Sequence, residues 1–372
     1  MMVLIRSRIL ALAVAVAALA PLPLAAETVE TSVGRLQIEE VADGFREPWG
    51  LAFLPDDGFL VTERAGALWR VGADGARQRV EGAPEVWARG QGGLLDVMVP
   101  RDFSESREVF LSFSKPQPDG AGTALGAGRL NEAGDALEDF RVIFEMTAGG
   151  GRGQHFGSRI VEAPDGHLFL TIGDRGAAER AQDNAHHNGT VVRIARDGAV
   201  PDDNPFVGVE DAQPEIWSYG HRNAQGAALG PEGGLWLVEH GAMGGDEVNR
   251  VEPGANYGWP EISYGRNYDG SKIGVGTEAE GMKQPVHYWD PSIAPSGLAV
   301  YSGALWPEWE GRMIVGSLKF DYIAVLDPET GNEEALRSRE SARVRDVREA
   351  PDGSIWFLSV GQGGVFRIIP AR

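Results

Sequence analysis

The sequence predicts an all-β fold, specifically a six-bladed β-propeller of four-stranded antiparallel blades. The first observation behind this prediction is composition, because the 372-residue chain contains 51 glycines and 22 prolines. The second is pattern: short apolar segments alternate with turn clusters, and no helical periodicity is sustained after Ala26. The third is one strand–turn–strand unit that recurs along the chain, as repeat architectures require.

Each repeat unit is a strand, a hairpin turn built from proline, an acidic residue and glycine, and a second strand. Clear copies are "LAFLPDDGFLVTE", "IVEAPDGHLFLTIGD", "AALGPEGGLWLVEHG" and "VREAPDGSIWFLSVG", and two looser copies complete the series. The turns recur along the whole chain and lie at Pro55, Pro100, Pro164, Pro231, Ser302 and Pro351. Six such units indicate six blades. The alternative is a pair of β-sandwiches with coincidental turns.

The beginning of the chain has the pattern of a secretory signal peptide. Arg6 and Arg8 precede an apolar run from Ile9 to about Ala20, and Ala26 is a small residue at a plausible cleavage point. A membrane anchor is the alternative, but the run is short for a span. We therefore predict a signal peptide over residues 1–26, a single propeller domain over residues 27–372, and a periplasmic or secreted protein.

Charge and cysteine content narrow the class of protein. Removal of residues 1–26 takes away two arginines and no acidic residue, which changes the formal net charge from −20 to −22. Such a surface repels nucleic acid and anionic lipid, so we predict no nucleic-acid partner and no membrane span in the mature chain. The absence of cysteine excludes disulfides and a covalently attached haem. Calcium is the metal that suits an acidic exported chain rich in loops.

His155 is the candidate general base. It lies in the glycine-rich stretch "GGGRGQHFG", whose glycines we expect to leave its imidazole uncovered, and Asp174 in "TIGDRG" ends the second strand after it. A carboxylate on one ring nitrogen and a substrate hydroxyl on the other is a general-base arrangement. The alternative is a structural histidine whose hydrogen bonds are satisfied within the protein.

Four cations lie on separate loop positions of this acidic chain: Arg222, Lys319, Arg343 and Arg345. If the inter-blade loops converge on the central channel, these side chains would bind a polyanion such as a carboxylated cofactor. We expect Arg343 and Arg345 to alternate on one strand and thus to share a face. The alternative for each of them, taken one by one, is an ordinary solvated surface charge.

The loop "GAMGG" over residues 241–245 lies between Glu239 and the acidic pair Asp246 and Glu247. An unwound glycine loop presents backbone carbonyls, which are good calcium ligands, although the spacing by itself is a weak indication. No dinucleotide fingerprint, phosphate-binding loop, zinc helix or nucleophile elbow is present, since "GRGQHF" has Phe156 where the fingerprint needs glycine. Three aromatic residues are either core residues or an aromatic wall for a sugar ring: Trp259, Tyr288 and Trp289.

The sequence resembles the soluble aldose sugar dehydrogenases that depend on pyrroloquinoline quinone (PQQ), the glucose/sorbosone dehydrogenase family. The resemblance runs from about Gly44 to Arg367 and rests on nine motifs in order: "EPWGLAFLPD", "GQGGLLDV", "GQHFGSRI", "TIGDRG", "DGAVPDDNPF", "SYGHRNAQG", "GGDEVN", "NYGWP" and "RVRDV". Any one motif is weak, but nine in sequence are specific. The family implies a six-bladed propeller, in agreement with the repeat count.

The resemblance implies a set of cofactor contacts. Arg222 and Asn223 match family residues on the quinone side of PQQ. Lys319, Arg343 and Arg345 match family residues that hold the carboxylates and ring edges of PQQ. Gln91 and His155 match further cofactor-binding residues. The carbonyls of Gly241 and Ala242 match those that hold the calcium bound to PQQ. His240 and Ala242 depart from members that have glutamine and proline at these positions, a change that carbonyl ligation tolerates. A second, structural calcium is expected at Glu247 and the Tyr257 carbonyl.

The implied activity is oxidation of aldose sugars at the anomeric carbon to lactones, with hydride transfer to the quinone and an unidentified electron acceptor. The implied catalytic residues are His155, which takes the hydroxyl proton, Asp174, which orients it, and Arg222, which stabilises charge on the quinone oxygen. The alternatives are a calcium-dependent propeller lactonase or other hydrolase, and a non-catalytic binding propeller. The four cations favour the dehydrogenase, because a lactonase has no need of them.

Overall fold

The structure is a computed structural model that describes residues 27–371, and the predicted signal peptide lies outside them. The described chain forms 25 strands, one short α-helix (α1, Phe103–Ser106) and two 3₁₀ helices, Ala178–Gln182 and Pro307–Trp309. The strands group into six antiparallel sheets, which are the blades of a propeller. The predicted all-β, six-bladed propeller is therefore confirmed.

Blades 1 to 5 each consist of four consecutive strands, as predicted. Blade 1 consists of β3 (Pro48–Phe53), β4 (Phe59–Glu63), β5 (Ala67–Val71) and β6 (Arg77–Val80), and blade 2 of β7 (Leu94–Met98), β8 (Glu108–Gln117), β9 (Gly120–Leu130) and β10 (Leu137–Glu145). Blade 3 consists of β11 (Ile160–Glu162), β12 (Leu168–Ile172), β13 (Thr190–Ile194) and β14 (Ile216–Tyr219), and blade 4 of β15 (Ala224–Leu229), β16 (Leu235–Glu239), β17 (Asp246–Val251) and β18 (His287–Trp289). Blade 5 consists of β19 (Pro295–Val300), β20 (Met313–Ser317), β21 (Ile323–Leu326) and β22 (Glu333–Leu336).

Blade 6 closes the ring with strands from both ends of the described chain. Its order is β1 (Glu27–Thr31), β2 (Gly34–Ala42), β25 (Gly364–Pro370), β24 (Ile355–Ser359) and β23 (Val344–Glu349). Blade 6 thus has five strands where four were predicted. The additional strand is β1, which pairs with β2 as an antiparallel hairpin. The β2–β25 pairing holds the ring shut without disulfides, since it joins the first blade-forming strand to the last.

The six predicted turns join the first two strands of the six blades, which explains their regular recurrence. In three of the four clear copies the glycine of the turn has a positive φ: 86° at Gly166, 77° at Gly233 and 81° at Gly353. Glycine adopts this left-handed conformation without the steric cost of a Cβ. The hairpin unit was therefore recognisable from the sequence, because local backbone conformation dictates its residue types.

The first strand of each blade lines the central axis, and apolar side chains fill the spaces between blades. Leu60, Leu94 and Leu111, for example, pack in the core between blades 1 and 2. The axis itself contains an ion-pair network: the buried Arg159 guanidinium lies 3.1 Å from Asp96 Oδ1 and 2.9 Å from Asp346 Oδ1. Buried charges are tolerated when they are paired in this way, and the network connects the inner strands of different blades.

Within residues 27–371, no helix is both long enough and apolar enough to cross a bilayer.

Candidate functional site

A cavity of about 500 Å³ opens where the N-terminal ends of the inner strands converge. Inner-strand ends supply Trp49, Leu95, Gly157 and Gln225, and loops that follow the second strands supply Arg64, His240 and Lys319, among other residues. All six blades contribute to the wall. The site is thus assembled from segments that are far apart in the sequence, at the position where propeller loops converge.

Four of the predicted cofactor residues line this cavity: Gln91, Lys319, Arg343 and Arg345. None of the three cations forms an ion pair with a carboxylate of residues 27–371; Arg345 Nη1, for instance, donates to Gln225 Oε1 at 2.9 Å. Burial and the nearby charges of Arg159 and Arg343 lower the pKa of Arg345 to about 9. The group is still cationic at neutral pH, so the cavity presents positive charge that the protein does not neutralise.

The backbone places Arg343 differently from our expectation. It was predicted to alternate with Arg345 on one strand, but β23 begins at Val344 and Arg343 adopts a left-handed φ of 53°. A bulge between Val344 and Asp346 then turns the start of the strand. Both arginines line the cavity because the backbone turns at Arg343, and strand alternation is not the cause.

His155 and Asp174 form a hydrogen-bonded pair, and both residues are buried, so the expectation of an uncovered imidazole is wrong. His155 Nδ1 lies 2.7 Å from Asp174 Oδ1, and since a carboxylate only accepts, Nδ1 carries the proton and Nε2 is the basic nitrogen. Gln91 Oε1 accepts the His155 backbone N–H at 2.7 Å, which fixes the loop. Burial by itself would raise the pKa of Asp174, but the hydrogen bond and charge of His155, the Gly176 N–H and the charge of Arg222 lower it overall.

Trp259 is a partner of this pair that the sequence did not identify. Its indole Nε1–H donates to the other Asp174 oxygen, Oδ2, at 2.9 Å. The same ring lies under the Arg222 guanidinium, with Cζ 5.2 Å from the ring centroid. By contrast Trp289 is a buried core residue, and Tyr288 stacks on Tyr264, so the three suggested wall aromatics have three different environments.

Arg222 lies beside a second, much smaller cavity of about 10 Å³, which is room for one water-sized particle. Its Nη1 donates to the carbonyls of His240 and Gly241, and its backbone N–H donates to Glu239 Oε2. The buried Nε has no hydrogen-bond partner among the described residues. The predicted site is therefore divided: Lys319, Arg343 and Arg345 line the large cavity, and Arg222 lines the small one.

Three predicted metal positions also line the small cavity: Gly241, Glu247 and Tyr257. Burial and the charge of Glu239 raise the pKa of Glu247 to about 8. Across residues 27–371 no three acidic or histidine side chains gather as a metal site, so a cation bound here needs backbone carbonyls as ligands. The Gly241 carbonyl already accepts from Arg222 and has one further lone pair for a cation.

Two amides of the "HRNAQG" loop have different partners. Asn223 Oδ1 accepts the Gly157 N–H and Gln225 Nε2, both at 3.2 Å, while its buried Nδ2 has no partner among residues 27–371. Gln225, which was not predicted as a site residue, lines the cavity and contacts Arg345. Its place in the "HRNAQG" motif, two residues after Asn223, is the sequence signal that could have identified it.

His240 contributes a neutral imidazole to the wall. Burial and the charges of Arg222 and Arg345 lower the pKa of His240 to about 3. Its Nε2 lies 2.8 Å from the Pro295 carbonyl, which can only accept, so the proton is on Nε2. This residue bridges the two cavities, since it lines both.

Comparison with known proteins identifies the family to which this architecture belongs. The profile of the Glucose / Sorbosone dehydrogenase family matches residues 45–368. The chain belongs to the glucose/sorbosone dehydrogenase family. This family member is 42% identical over 357 residues to aldose sugar dehydrogenase YliI of Escherichia coli, an alignment that covers 93% of this chain and 96% of the relative. It is 27% identical to quinoprotein glucose dehydrogenase B of Acinetobacter calcoaceticus, with 87% and 85% covered.

Solved structures of glucose/sorbosone dehydrogenase relatives agree with this placement. The apo-form of the soluble aldose sugar dehydrogenase from Escherichia coli superposes with a TM-score of 0.85 at 39% identity, over 90% of this chain and all of that one. The PQQ-bound aldose sugar dehydrogenase from Streptomyces coelicolor has a TM-score of 0.74 at 26% identity, over 90% and 98%. The predicted family membership is confirmed.

Proposed function

We propose that this protein is a PQQ- and calcium-dependent aldose sugar dehydrogenase that oxidises the anomeric carbon of aldoses to give lactones. The observation that carries the proposal is the juxtaposition of unneutralised cations in the large cavity with the nearby His155–Asp174 pair. The pair adjoins the cavity through two residues that line it: Phe156, which follows His155, and Gln91, which accepts the His155 backbone N–H. An acidic protein that keeps Lys319, Arg343 and Arg345 free of carboxylate partners presents a site for a polyanion. The PQQ-bound relative and the sugar dehydrogenases among the relatives support this choice.

The residues present fit PQQ. The cofactor carries three carboxylates and supplies an ortho-quinone that accepts hydride. Lys319, Arg343 and Arg345 would hold its carboxylates, and Gln91 and Asn223 would add amide contacts. Glycines keep the wall open: a Cβ at Gly90 would overlap the Gly153 carbonyl oxygen, and one at Gly157 would approach the Thr171 carbonyl oxygen to 2.7 Å. Side chains at these positions would displace the loops that form the cavity.

His155 would serve as the general base. Its Nδ1–H is engaged by Asp174, so the lone pair of Nε2 is available for the proton of the anomeric hydroxyl. The Asp174 carboxylate then stabilises the imidazolium that forms, and its lowered pKa keeps it ionised for that role. Arg222 would stabilise negative charge that develops as the sugar is oxidised.

Calcium would be held at two places. The carbonyls of Gly241 and Ala242 would bind the ion that also contacts the cofactor. Glu247 and the Tyr257 carbonyl would bind a structural ion, and the raised pKa of Glu247 supports this choice, because a carboxylate destabilised by burial is one that a cation stabilises.

The metal-free protein should lose stability as the pH rises from about 4.5 to about 8. Over this range the folded state keeps the Glu247 proton while the unfolded chain has lost it, so rising pH favours unfolding. Bound calcium should remove this loss by replacing the proton. Urea unfolding with chelator and with calcium, at several pH values in wild type and Glu247→Gln, isolates the effect. A variant with the same pH slope and the same calcium stabilisation as wild type would exclude Glu247 as a ligand.

The predicted location and partners belong to the same proposal. We propose that the protein acts in the periplasm or outside the cell, on an aldose sugar, and passes electrons to an acceptor of unidentified chemistry. The hydrolase alternative has less support, because it needs several carboxylates grouped around a catalytic calcium. The described part of the chain contains no group of three or more acidic or histidine side chains that could hold a metal ion.

Reconstitution tests the proposed function directly. Purified protein is loaded with PQQ and calcium, and reduction of an artificial dye is followed after glucose is added. Turnover should require both additions, and magnesium should replace calcium poorly because it demands a tighter octahedron. Omission of each component is the control, and lactone hydrolysis is assayed in parallel. Hydrolysis without dye reduction would overturn the dehydrogenase proposal in favour of the lactonase.

A further inference from the structure

Trp259 joins three parts of the site that come from two blades. Its indole N–H bonds to Asp174, its ring lies against the guanidinium of Arg222, and it lines the small cavity together with Glu247. It is itself held in place at the main chain. Its backbone N–H donates to the Gly220 carbonyl at 2.8 Å, and its carbonyl accepts from Gln182 Nε2 at 2.8 Å. The main chain that carries the indole is therefore anchored beside Asp174.

The two Asp174 oxygens have different partners. Oδ1 accepts from His155 Nδ1 and from the Gly176 N–H, while the indole of Trp259 donates to Oδ2. A carboxylate held only through Oδ1 could rotate about its Cβ–Cγ bond and weaken the bond to the imidazole. A donor on Oδ2 opposes that rotation. It also draws negative charge away from the oxygen that faces His155, since hydrogen bonds to a carboxylate stabilise its charge.

We propose that Trp259 is a positioning residue for the His155–Asp174 pair, which it controls through the indole N–H bond to Asp174. The inference rests on the proposed function for its catalytic meaning, but the contact itself does not. Loss of the N–H should leave more charge on Oδ1, which stabilises the protonated imidazole. The His155 titration would then move to higher pH, and less of the enzyme would have the free base at a given pH.

Other charged groups face this pair, and all are left in place by the test. Arg222 approaches Asp174 from blade 4 and lowers its pKa, and His240 lies near enough to interact with His155. Arg175 follows Asp174, and its backbone N–H donates to the His155 carbonyl at 3.3 Å. Replacement of tryptophan by phenylalanine keeps an aromatic ring beside Arg222 while it removes the donor toward Asp174.

The experiment is an NMR titration of the His155 imidazole in wild type and Trp259→Phe, both as the full mature chain, with His155→Ala used to assign the signal. We expect the midpoint to rise by about half to one pH unit, the effect of one ordinary hydrogen bond. Trp289→Phe is the matched control, because it also removes a buried indole N–H bond to a carboxylate, that of Glu333 at 2.6 Å, away from the pair. It should leave the midpoint unchanged.

A second measurement needs no variant at Trp259. In wild-type protein labelled with ¹⁵N-tryptophan, the Trp259 indole N–H signal should shift with the same pH midpoint as the imidazole, because both bond to Asp174. An unchanged midpoint in a folded Trp259→Phe protein would overturn the proposal. If that variant does not fold, the proposal would be overturned by a wild-type Trp259 indole N–H signal that does not shift as the imidazole titrates.

Turnover separates this inference from the proposed function. In the PQQ- and calcium-loaded enzyme, Trp259→Phe should move the acidic limb of the turnover profile by the same amount as the imidazole midpoint, with PQQ affinity unchanged. A shifted midpoint with an unshifted turnover profile would support the positioning role and contradict His155 as the base. A shifted profile with an unshifted midpoint would contradict the positioning role alone.

Discussion

Replacement of His155 by alanine should lower sugar turnover by roughly 10²–10⁴, the usual contribution of a general base. The variant keeps the cavity cations, so PQQ should bind with nearly wild-type affinity. Turnover of the reconstituted enzyme with glucose and fluorescence titration of PQQ measure the two quantities separately. A loss of turnover without a loss of cofactor is the expected result, because His155 is proposed to act on the sugar hydroxyl.

His187→Gln is the matched control for this experiment. His187 is also buried, and its Nε2 lies 3.0 Å from Oε1 of Glu215. Unlike His155, whose neighbour Phe156 lines the large cavity, His187 has no sequence neighbour in the wall of either cavity. It should cost stability and leave turnover per folded molecule near wild type. Near-normal sugar oxidation by His155→Ala would remove this residue from the mechanism and return it to a structural role.

Arg345→Ala and Arg222→Ala should fail in different ways. Loss of one charge-assisted hydrogen bond from Arg345 should cost about 1.5–3 kcal/mol, or about ten- to a hundredfold in PQQ affinity. Excess PQQ should restore its turnover. Arg222 is proposed to act on charge that develops in the transition state, so its loss should lower turnover even at saturating PQQ. PQQ titration of both variants, with turnover read at the plateau, distinguishes the two roles.

Two controls are needed for the arginine variants. Arg250→Ala removes the same charge from an exposed ion pair with Glu232 and measures the general electrostatic effect on this acidic protein. Calcium must also be saturating, because Arg222 donates to the Gly241 carbonyl that is proposed to bind it. Full recovery of Arg222→Ala by excess PQQ would make this residue a plain cofactor anchor, and unchanged PQQ affinity in Arg345→Ala would remove that arginine from the binding site.

The blade count was predictable from the sequence because it depends on local conformation. A turn such as "PDGS" needs glycine at a left-handed position, and the strands that flank it follow directly on either side. The pairing of His155 with Asp174 was predictable for a related reason, since His155 lies in the loop that precedes β11 and Asp174 in the loop that follows β12, at the same end of blade 3. Lys319, Arg343 and Arg345 were recognisable as unusual cations in an acidic chain and as matches to family motifs.

The contacts between blades could not be predicted in this way. Trp259 lies 85 residues from Asp174, and Gln225 lies 120 residues from Arg345. No periodic pattern relates such residues, because their approach depends on how blades are rotated about the common axis. The left-handed turn at Arg343 was missed for a different reason: a β-propensity pattern indicates an extended strand and contains no information about one residue with positive φ.

The sequence by itself thus determined the all-β architecture, the number of blades and the kind of residues at the site. Turn chemistry and strand alternation act over a few residues and are written directly in the order of the side chains. Only the tertiary structure decided that Lys319, Arg343 and Arg345 line a large cavity while Arg222 and Glu247 line a small one. It also decided that the indole of Trp259, in the wall of the small cavity, is hydrogen-bonded to Asp174, the partner of His155. The physical reason is ring closure, because the pairing of β2 with β25 brings six distant sets of loops to one axis.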